Sequence, residues 1–256
     1  MQLPQNHFKR RLHAGDVQFG LWCTIPDTSV VEAMAGAGFD WMTLDTEHAP
    51  TEVSTVLPML QAAAPYATQC IVRVVENDTA LIKRHLDQGA QTILLPYIQS
   101  RAEAEAAVAA MRYAPEGIRG VAGGTRAARY GRIKGYTATA NSEMCLILQI
   151  ETAEAASKLE EIASVDGVDA VFIGPADLAA SMGYPGQLDH PKVKSAILDI
   201  LARAKAMGRP CGILTLDKDF ARECVTAGAG FVCIGIDMSI LVSGADVLAA
   251  EFCPPR

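Results

Sequence analysis

No stretch of this chain reaches the ~20 uninterrupted apolar residues of a membrane-spanning helix, so a membrane span is not expected. Met1 to Gly15 carries Lys9, Arg10 and Arg11 but no apolar block behind them, and does not read as a secretory signal. There is no block of basic residues, and the net charge is −7, which argues against a nucleic-acid partner. No G-x-x-x-x-G-K-[ST] loop and no G-x-G-x-x-G after a first strand is present, so neither ATP nor NAD is indicated. No C-x-x-C pair occurs. The seven cysteines are scattered, which disfavours a cysteine-rich zinc site or a disulfide framework and suits a reducing compartment, the cytoplasm.

What is present is enough chain for a large core: 256 residues, half of them apolar and a fifth charged. Short apolar runs suited to buried strands are Phe19–Ile25, Phe39–Leu44, Cys70–Val75, Thr92–Ile98, Met144–Ile150, Ala170–Ile173, Pro210–Leu216 and Phe231–Ile236. They are near-continuous rather than alternating, as parallel strands covered on both faces should be. Between them lie helical stretches: Ser29–Gly38, Thr51–Ala64, Thr79–Gln88, Arg101–Tyr113, Thr152–Ser164, Pro191–Met207, Lys218–Ala227 and Met238–Ala250. Strand and helix alternating eight times predict a parallel (β/α)8 TIM barrel over an open doubly wound sheet. No linker divides the chain, so residues 1–256 are expected as one domain with a core of about residues 19–250. Two segments break the alternation. Gly117–Gly135 is long and glycine-rich, with Arg119, Arg126, Arg129 and Arg132. Glu251–Arg256 ends with Pro254 and Pro255 and reads as a tail.

Barrel active sites lie at the C-terminal ends of the strands. There the chain places Trp22, then Asp45, Glu47 and His48 in LDTEHAP, Arg73 in IVRVV, Gln149 and Glu151 in QIE, Asp177 in GPAD, and Leu214. Glu151 and Asp177 end neighbouring strands, and two carboxylates so placed suit a hard divalent cation, Mg2+ or Mn2+. The plainer alternative is a pair of helix N-caps. Arg73 within an apolar run needs an anion: a substrate carboxylate or enolate, or a structural ion pair. His48 with Asp45 reads as an oriented base, the carboxylate fixing the tautomer, against the alternative of a surface histidine. Every lysine falls in a helix, a loop or the N-terminal segment, so an imine mechanism is not expected.

The blocks LDTEHAP, IVRV, GIRGV, QIET and VFIGPADLAASMGYPG together resemble the HpcH/HpaI family of class II pyruvate aldolases, from about Phe19 to Ala250. The resemblance implies a (β/α)8 barrel that reversibly cleaves 4-hydroxy-2-oxo acids to pyruvate, or a 2-oxo acid such as hydroxypyruvate, and an aldehyde. It implies metal ligands at Glu151 and Asp177, with Mg2+, Mn2+ or Co2+ as the ion, a pyruvate-binding arginine at Arg73, and a base at His48 partnered by Asp45. Gln149, Trp22, Leu214 and the Gly174–Pro175–Ala176 backbone match pocket positions. Asp87, in HLDQGA, matches an aspartate offered to a neighbouring subunit's site. A homohexamer, a dimer of trimers with the last helix exchanged, is also implied. The segment GVAGGTRAARYGRI departs from the family pattern at Gly123, Gly124 and Arg126, on a loop that faces the aldehyde end of the family's site. Two other readings are a lyase of CoA thioesters and a barrel that binds 2-oxo acids without turnover.

Overall fold

The computed structural model describes residues 1–253. Eight strands, β1 (Gln18–Cys23), β2 (Trp41–Asp45), β3 (Gln69–Arg73), β4 (Thr92–Leu95), β5 (Cys145–Ile150), β6 (Ala170–Ile173), β7 (Cys211–Leu214) and β8 (Phe231–Ile236), pair in order as a closed parallel barrel. The helices are α1 (His7–Ala14), α2 (Thr28–Ala35), α3 (Val53–Ala63), α4 (Thr79–Asp87), α5 (Arg101–Met111), α6 (Tyr136–Thr139), α7 (Ala153–Ser157), α8 (Leu159–Ala163), α9 (Pro175–Ser181), α10 (Pro191–Ala206), α11 (Lys218–Ala227) and α12 (Asp237–Phe252). This is the predicted (β/α)8 barrel. No helix among the described residues is long and apolar enough to cross a membrane.

The two faces of each strand divide the core. Leu21, Met42, Leu44, Val72, Ile93, Leu146, Leu148 and Val171 point outward into one layer shared with the helices. Trp22, Trp41, Ile71, Leu94, Ile147, Phe172 and Phe231 point inward and fill the barrel. A strand side-chain period of two makes both sets buried, which is why the sequence reads as continuous apolar runs. The same period aims Asp45, Arg73 and Gln149 inward at the upper end of the barrel.

Several boundaries differ from expectation. β3 stops at Arg73 and β4 at Leu95, where Pro96 cannot donate to the ladder. The helix expected over Thr152–Ser164 breaks into α7 and α8 at Lys158, whose backbone (φ −105, ψ 17) leaves the helical region. α12 runs through Glu251 and Phe252, which were expected to begin a tail; Pro254 and Pro255 lie outside the described residues.

α1 was not expected. The Asn6 side chain caps it by accepting from the Lys9 N–H, and Gly15 ends it in the left-handed region (φ 84). Its apolar pair Phe8 and Leu12 lies one turn apart and enters the bottom of the barrel. Phe8 meets the edges of Trp41 and Phe231, with ring centroids 6.1 and 5.4 Å away. Such aromatic pairs add about 0.5–1.5 kcal/mol each beyond area burial. The lower end of the barrel is thereby corked.

Candidate active site

The upper end is open. A cavity of about 260 Å3 there is lined by Trp22, Asp45, His48, Arg73, Gln149 and Asp177, with Phe172, the Gly174–Ala176 turn, Leu214 and Ile236 completing the wall. It draws on residues from β1, β2, β3, β5, β6, β7 and β8 or the loops after them.

Asp45 and Arg73 are register partners on β2 and β3, so both enter the barrel side by side. Arg73 donates from Nε to Asp45 Oδ1 at 2.9 Å and from Nη2 to Oδ2 at 2.5 Å. Nη1 reaches Glu47 Oε2 at 2.8 Å. The guanidinium also lies 4.8 Å from the centroid of the Trp22 ring, whose Nε1 donates to Asp45 Oδ2 at 3.1 Å. Asp45 is 1% exposed. Burial pushes its carboxyl pKa up, but the hydrogen bonds and charge of Arg73, with Trp22 and the Glu47 N–H, outweigh burial and hold it below the usual range. Arg73 is thus a member of a structural ion pair, one of the two partners its apolar setting called for. A guanidinium has five N–H donors; two hydrogen-bond Asp45, while Nη1 lies at ion-pair distance from Glu47 Oε2, which accepts no hydrogen bond.

Asp45 does not orient the His48 imidazole, contrary to the sequence expectation. Its Oδ1 accepts from the backbone N–H groups of Glu47 (3.0 Å) and His48 (3.3 Å), closing the turn after β2. The carboxylate nearest the imidazole is Glu47, with Oε1 3.9 Å from His48 Nε2. The His48 side chain is 67% exposed at the rim. Glu47 is half-sheltered, and burial raises its pKa, with Asp45 and Asp177 adding repulsion against the lowering by Arg73 and His48.

Glu151 follows β5 and is buried. Its Oε1 accepts from the Tyr97 backbone N–H at 2.6 Å, and its Oε2 from Gln149 Nε2 at 2.8 Å. Burial lifts its pKa to about 7 against that hydrogen bond from Tyr97, and the charges of Asp177 and Glu47 lift it further. Gly174 is required beside it: a Cβ there would lie 2.6 Å from Glu151 Oε2 and 2.8 Å from its Cβ. Asp177 is exposed in the first turn of α9, three residues after the Gly174 N-cap, with Pro175 opening the helix. The N-cap of α7 is Thr152. Neither carboxylate is therefore a helix N-cap, and the plainer alternative for the pair falls away.

Gln149 Oε1 is buried without a partner and belongs to the cavity wall. Among the described residues no cluster of three or more His, Cys, Asp or Glu forms a closed cation cage. An orphaned acceptor, a buried carboxylate with a raised pKa and an exposed carboxylate nearby suit a hard cation that completes its coordination with solvent or ligand oxygens.

Asp87, Gly123 and Gly124 are not brought to this cavity. Asp87 ends α4 and pairs with Arg119 Nη2 at 2.8 Å, and its carbonyl accepts from the Ala127 N–H. Gly123 and Gly124 have open space around them in the same long loop.

Two contributors had no role assigned from sequence. Tyr97, held at φ 54, supplies the N–H that fixes Glu151. Asp237, at the junction of β8 and α12, accepts from the Thr24 N–H and hydroxyl and from the Ile25 and Met238 N–H groups, tying the end of β1 to the end of β8. Both stand at strand ends, which was the available signal. Their deciding partners, Glu151 for Tyr97 and Thr24 for Asp237, are 54 and 213 residues away.

The pattern of the HpcH/HpaI aldolase/citrate lyase family matches residues 18–244. The chain belongs to that family. It is 56% identical over 252 residues, covering 98% of this chain and 99% of the other, to a pyruvate aldolase of Rhizobium etli. It is 53% identical over 252 residues, covering 98% and 100%, to a hydroxypyruvate/pyruvate aldolase of Sagittula stellata. A crystal structure of a HpcH/HpaI aldolase/citrate lyase family protein from Burkholderia cenocepacia superposes with a TM-score of 0.93 at 38% identity, over 96% of this chain and 99% of that one. Family membership with aldolases this similar makes the protein a carbon–carbon lyase.

Proposed function

We propose that this family member catalyses the reversible aldol cleavage of 4-hydroxy-2-oxo acids to an aldehyde and pyruvate, or a related 2-oxo acid such as hydroxypyruvate, with a divalent cation held by Glu151 and Asp177. The observation that carries the reading is one cavity lined by the clamped guanidinium of Arg73, by Asp177 and by Gln149, with the buried Glu151 carboxylate bonded to Gln149 just behind that wall. When bound, Mg2+, Mn2+ or Co2+ would supply Lewis-acid polarisation of the keto group. Arg73 offers the donors that Asp45 leaves free to the 2-oxo acid and stabilises the charge that grows as the enolate forms, an effect worth several kcal/mol. Gln149, packed beside Glu151, and the backbone of Gly174, Pro175 and Ala176 wall the small donor end, with Trp22 and Leu214 as its apolar sides. His48, at the rim beside Glu47, takes the proton of the 4-hydroxyl. The C3–C4 bond then breaks, its electron pair passing to the 2-oxo acid enolate and the carbinol carbon becoming the aldehyde. Aldol addition runs the same steps backwards.

Chelation is expected to abolish turnover of a 4-hydroxy-2-oxo acid, and Mg2+, Mn2+ or Co2+ to restore it. Covalent inactivation by borohydride in the presence of pyruvate would overturn the reading in favour of an imine. A CoA thioester run in parallel separates the lyase alternative.

We also propose the homohexamer, a dimer of trimers. α12 is exposed along nearly its whole length, including Ile240, Leu241, Val247, Leu248 and Phe252. An apolar helix so displayed suits exchange onto another copy. The free cysteines, Cys23, Cys70, Cys145, Cys211, Cys224, Cys233 and Cys253, suit a cytoplasmic location. Sedimentation of the full chain tests the assembly.

A further inference from the structure

The four arginines of the long loop do different things. Arg119 is buried, paired with Asp87 and 4.3 Å from the centroid of the Tyr113 ring. Arg132 donates to the Arg129 carbonyl at 3.3 Å. Arg126 is half-buried and donates from Nη1 to one neutral acceptor, the Gln88 carbonyl, at 2.6 Å. Among the described residues it makes no ion pair.

Arg126 lines a cavity of about 390 Å3 at the opposite end of the barrel from the mouth, where β3 and β4 begin. Arg129 and His7 line it as well, and Leu60 and Ala63 form part of an apolar wall. No Asp or Glu contributes to the lining. This is unusual in a chain with 29 acidic residues against 22 lysines and arginines. Burial lowers the Arg126 pKa, and the charge of Arg129 lowers it further, so the guanidinium is partly desolvated and repelled without a counter-charge. Gly89 (φ 97) makes the approach feasible, since a Cβ there would lie 2.8 Å from Arg126 Nη1. Arg129 and Tyr130 are consecutive non-glycine residues in the left-handed region, φ 50 and 57, an unfavourable turn beside the cavity.

We propose that this cavity is a second anion site, taking a small organic acid by a carboxylate or phosphoryl oxyanion bound to Arg126 and assisted by Arg129. A guanidinium with most of its donors free matches either planar carboxylate or phosphoryl oxygens, and the apolar wall suits a short carbon chain. Within one copy the cavity shares no lining residue with the mouth.

The test is calorimetric titration of the full chain with inorganic phosphate and, separately, succinate, at millimolar concentration. At least one probe is expected to bind both the unmodified protein and Glu151→Gln. Arg126→Gln should weaken that binding about tenfold or more, as loss of charge-assisted hydrogen bonds implies. Arg129→Gln should weaken it less, and Arg126→Lys should retain much of it. Circular dichroism establishes that each variant is folded; should Arg126→Gln not fold, Arg129→Gln and Arg126→Lys carry the comparison, and unchanged affinity in both would overturn the proposal. It is also overturned if neither probe binds, if Arg126→Gln binds as tightly as the unmodified chain, or if Glu151→Gln alone loses the signal, which would place the anion at the mouth. Absence of binding together with a smaller assembly for Arg126→Gln would mean that a carboxylate of a second copy occupies the cavity.

Discussion

Asp45 and Arg73 face each other across β2 and β3, and the guanidinium reaches both oxygens of the carboxylate, at 2.9 and 2.5 Å. With Glu47 2.8 Å from Nη1, Arg73 has little freedom to turn, and it lines the cavity in that one pose. Asp45→Asn should therefore act through Arg73. We expect a stability loss of about 3–5 kcal/mol, the usual cost of removing one member of a buried ion pair, and a rise in KM for the 2-oxo acid. Denaturant unfolding and steady-state kinetics check this. A shift in the His48-dependent limb of the pH–rate profile with KM unchanged would instead support an Asp45–His48 pair.

His48→Ala should separate chemistry from binding. The imidazole is mostly exposed and holds no buried contact, so stability should change by less than about 0.5 kcal/mol. Loss of a positioned base should lower kcat for cleavage by about 10²–10⁴-fold. Cation and pyruvate affinity, measured by calorimetry, should be near normal. Loss of cation binding would assign His48 to the wrong role.

Gly174→Ala tests the seat of Glu151. The added methyl would fall within 2.6 Å of Oε2, so the carboxylate must shift. Cation affinity should fall about 10–100-fold, as it does when groups that orient a ligand are disturbed. Unchanged affinity would mean that Glu151 does not hold the ion.

The barrel was legible because its inward and outward faces are both apolar, so each buried strand stands out as a run. β6, β8 and α11 have the expected bounds, and Trp22, Arg73, Gln149 and Asp177 line one mouth, with Glu151 bonded to Gln149 at the end of β5. The partner of Asp45 was not legible. His48 is three residues away, whereas Arg73 is 28 away and becomes its neighbour only through the β2–β3 register. α1 escaped notice because Phe8 and Leu12 make a single apolar turn, too short to distinguish from a loop by periodicity. α9 had no expected range, although the N-cap alternative for Asp177 implied a helix near it; the helix begins two residues before Asp177, at Pro175.

His85, buried in α4, gives a pH prediction about stability alone. Burial lowers its pKa to about 4 from an ordinary 6.5, with the charge of Arg84 adding to the effect. Below pH 6.5 the unfolded chain takes up a proton that the folded chain refuses. Stability should therefore fall as pH drops from 6.5 toward 4, by a total on the order of 2–3 kcal/mol from this residue. A His85→Leu variant should show a flatter urea-midpoint profile over that window. Parallel profiles would count against it.

The cork at the lower end of the barrel bears on the order of events in the reaction. Phe8, Trp41 and Phe231 leave no passage below, so traffic in this chain is confined to a single doorway. In the proposed reaction the 2-oxo acid lies beneath the aldehyde. The aldehyde must then depart first in cleavage, and in synthesis the donor must be seated before the acceptor arrives: a queue imposed by a dead end.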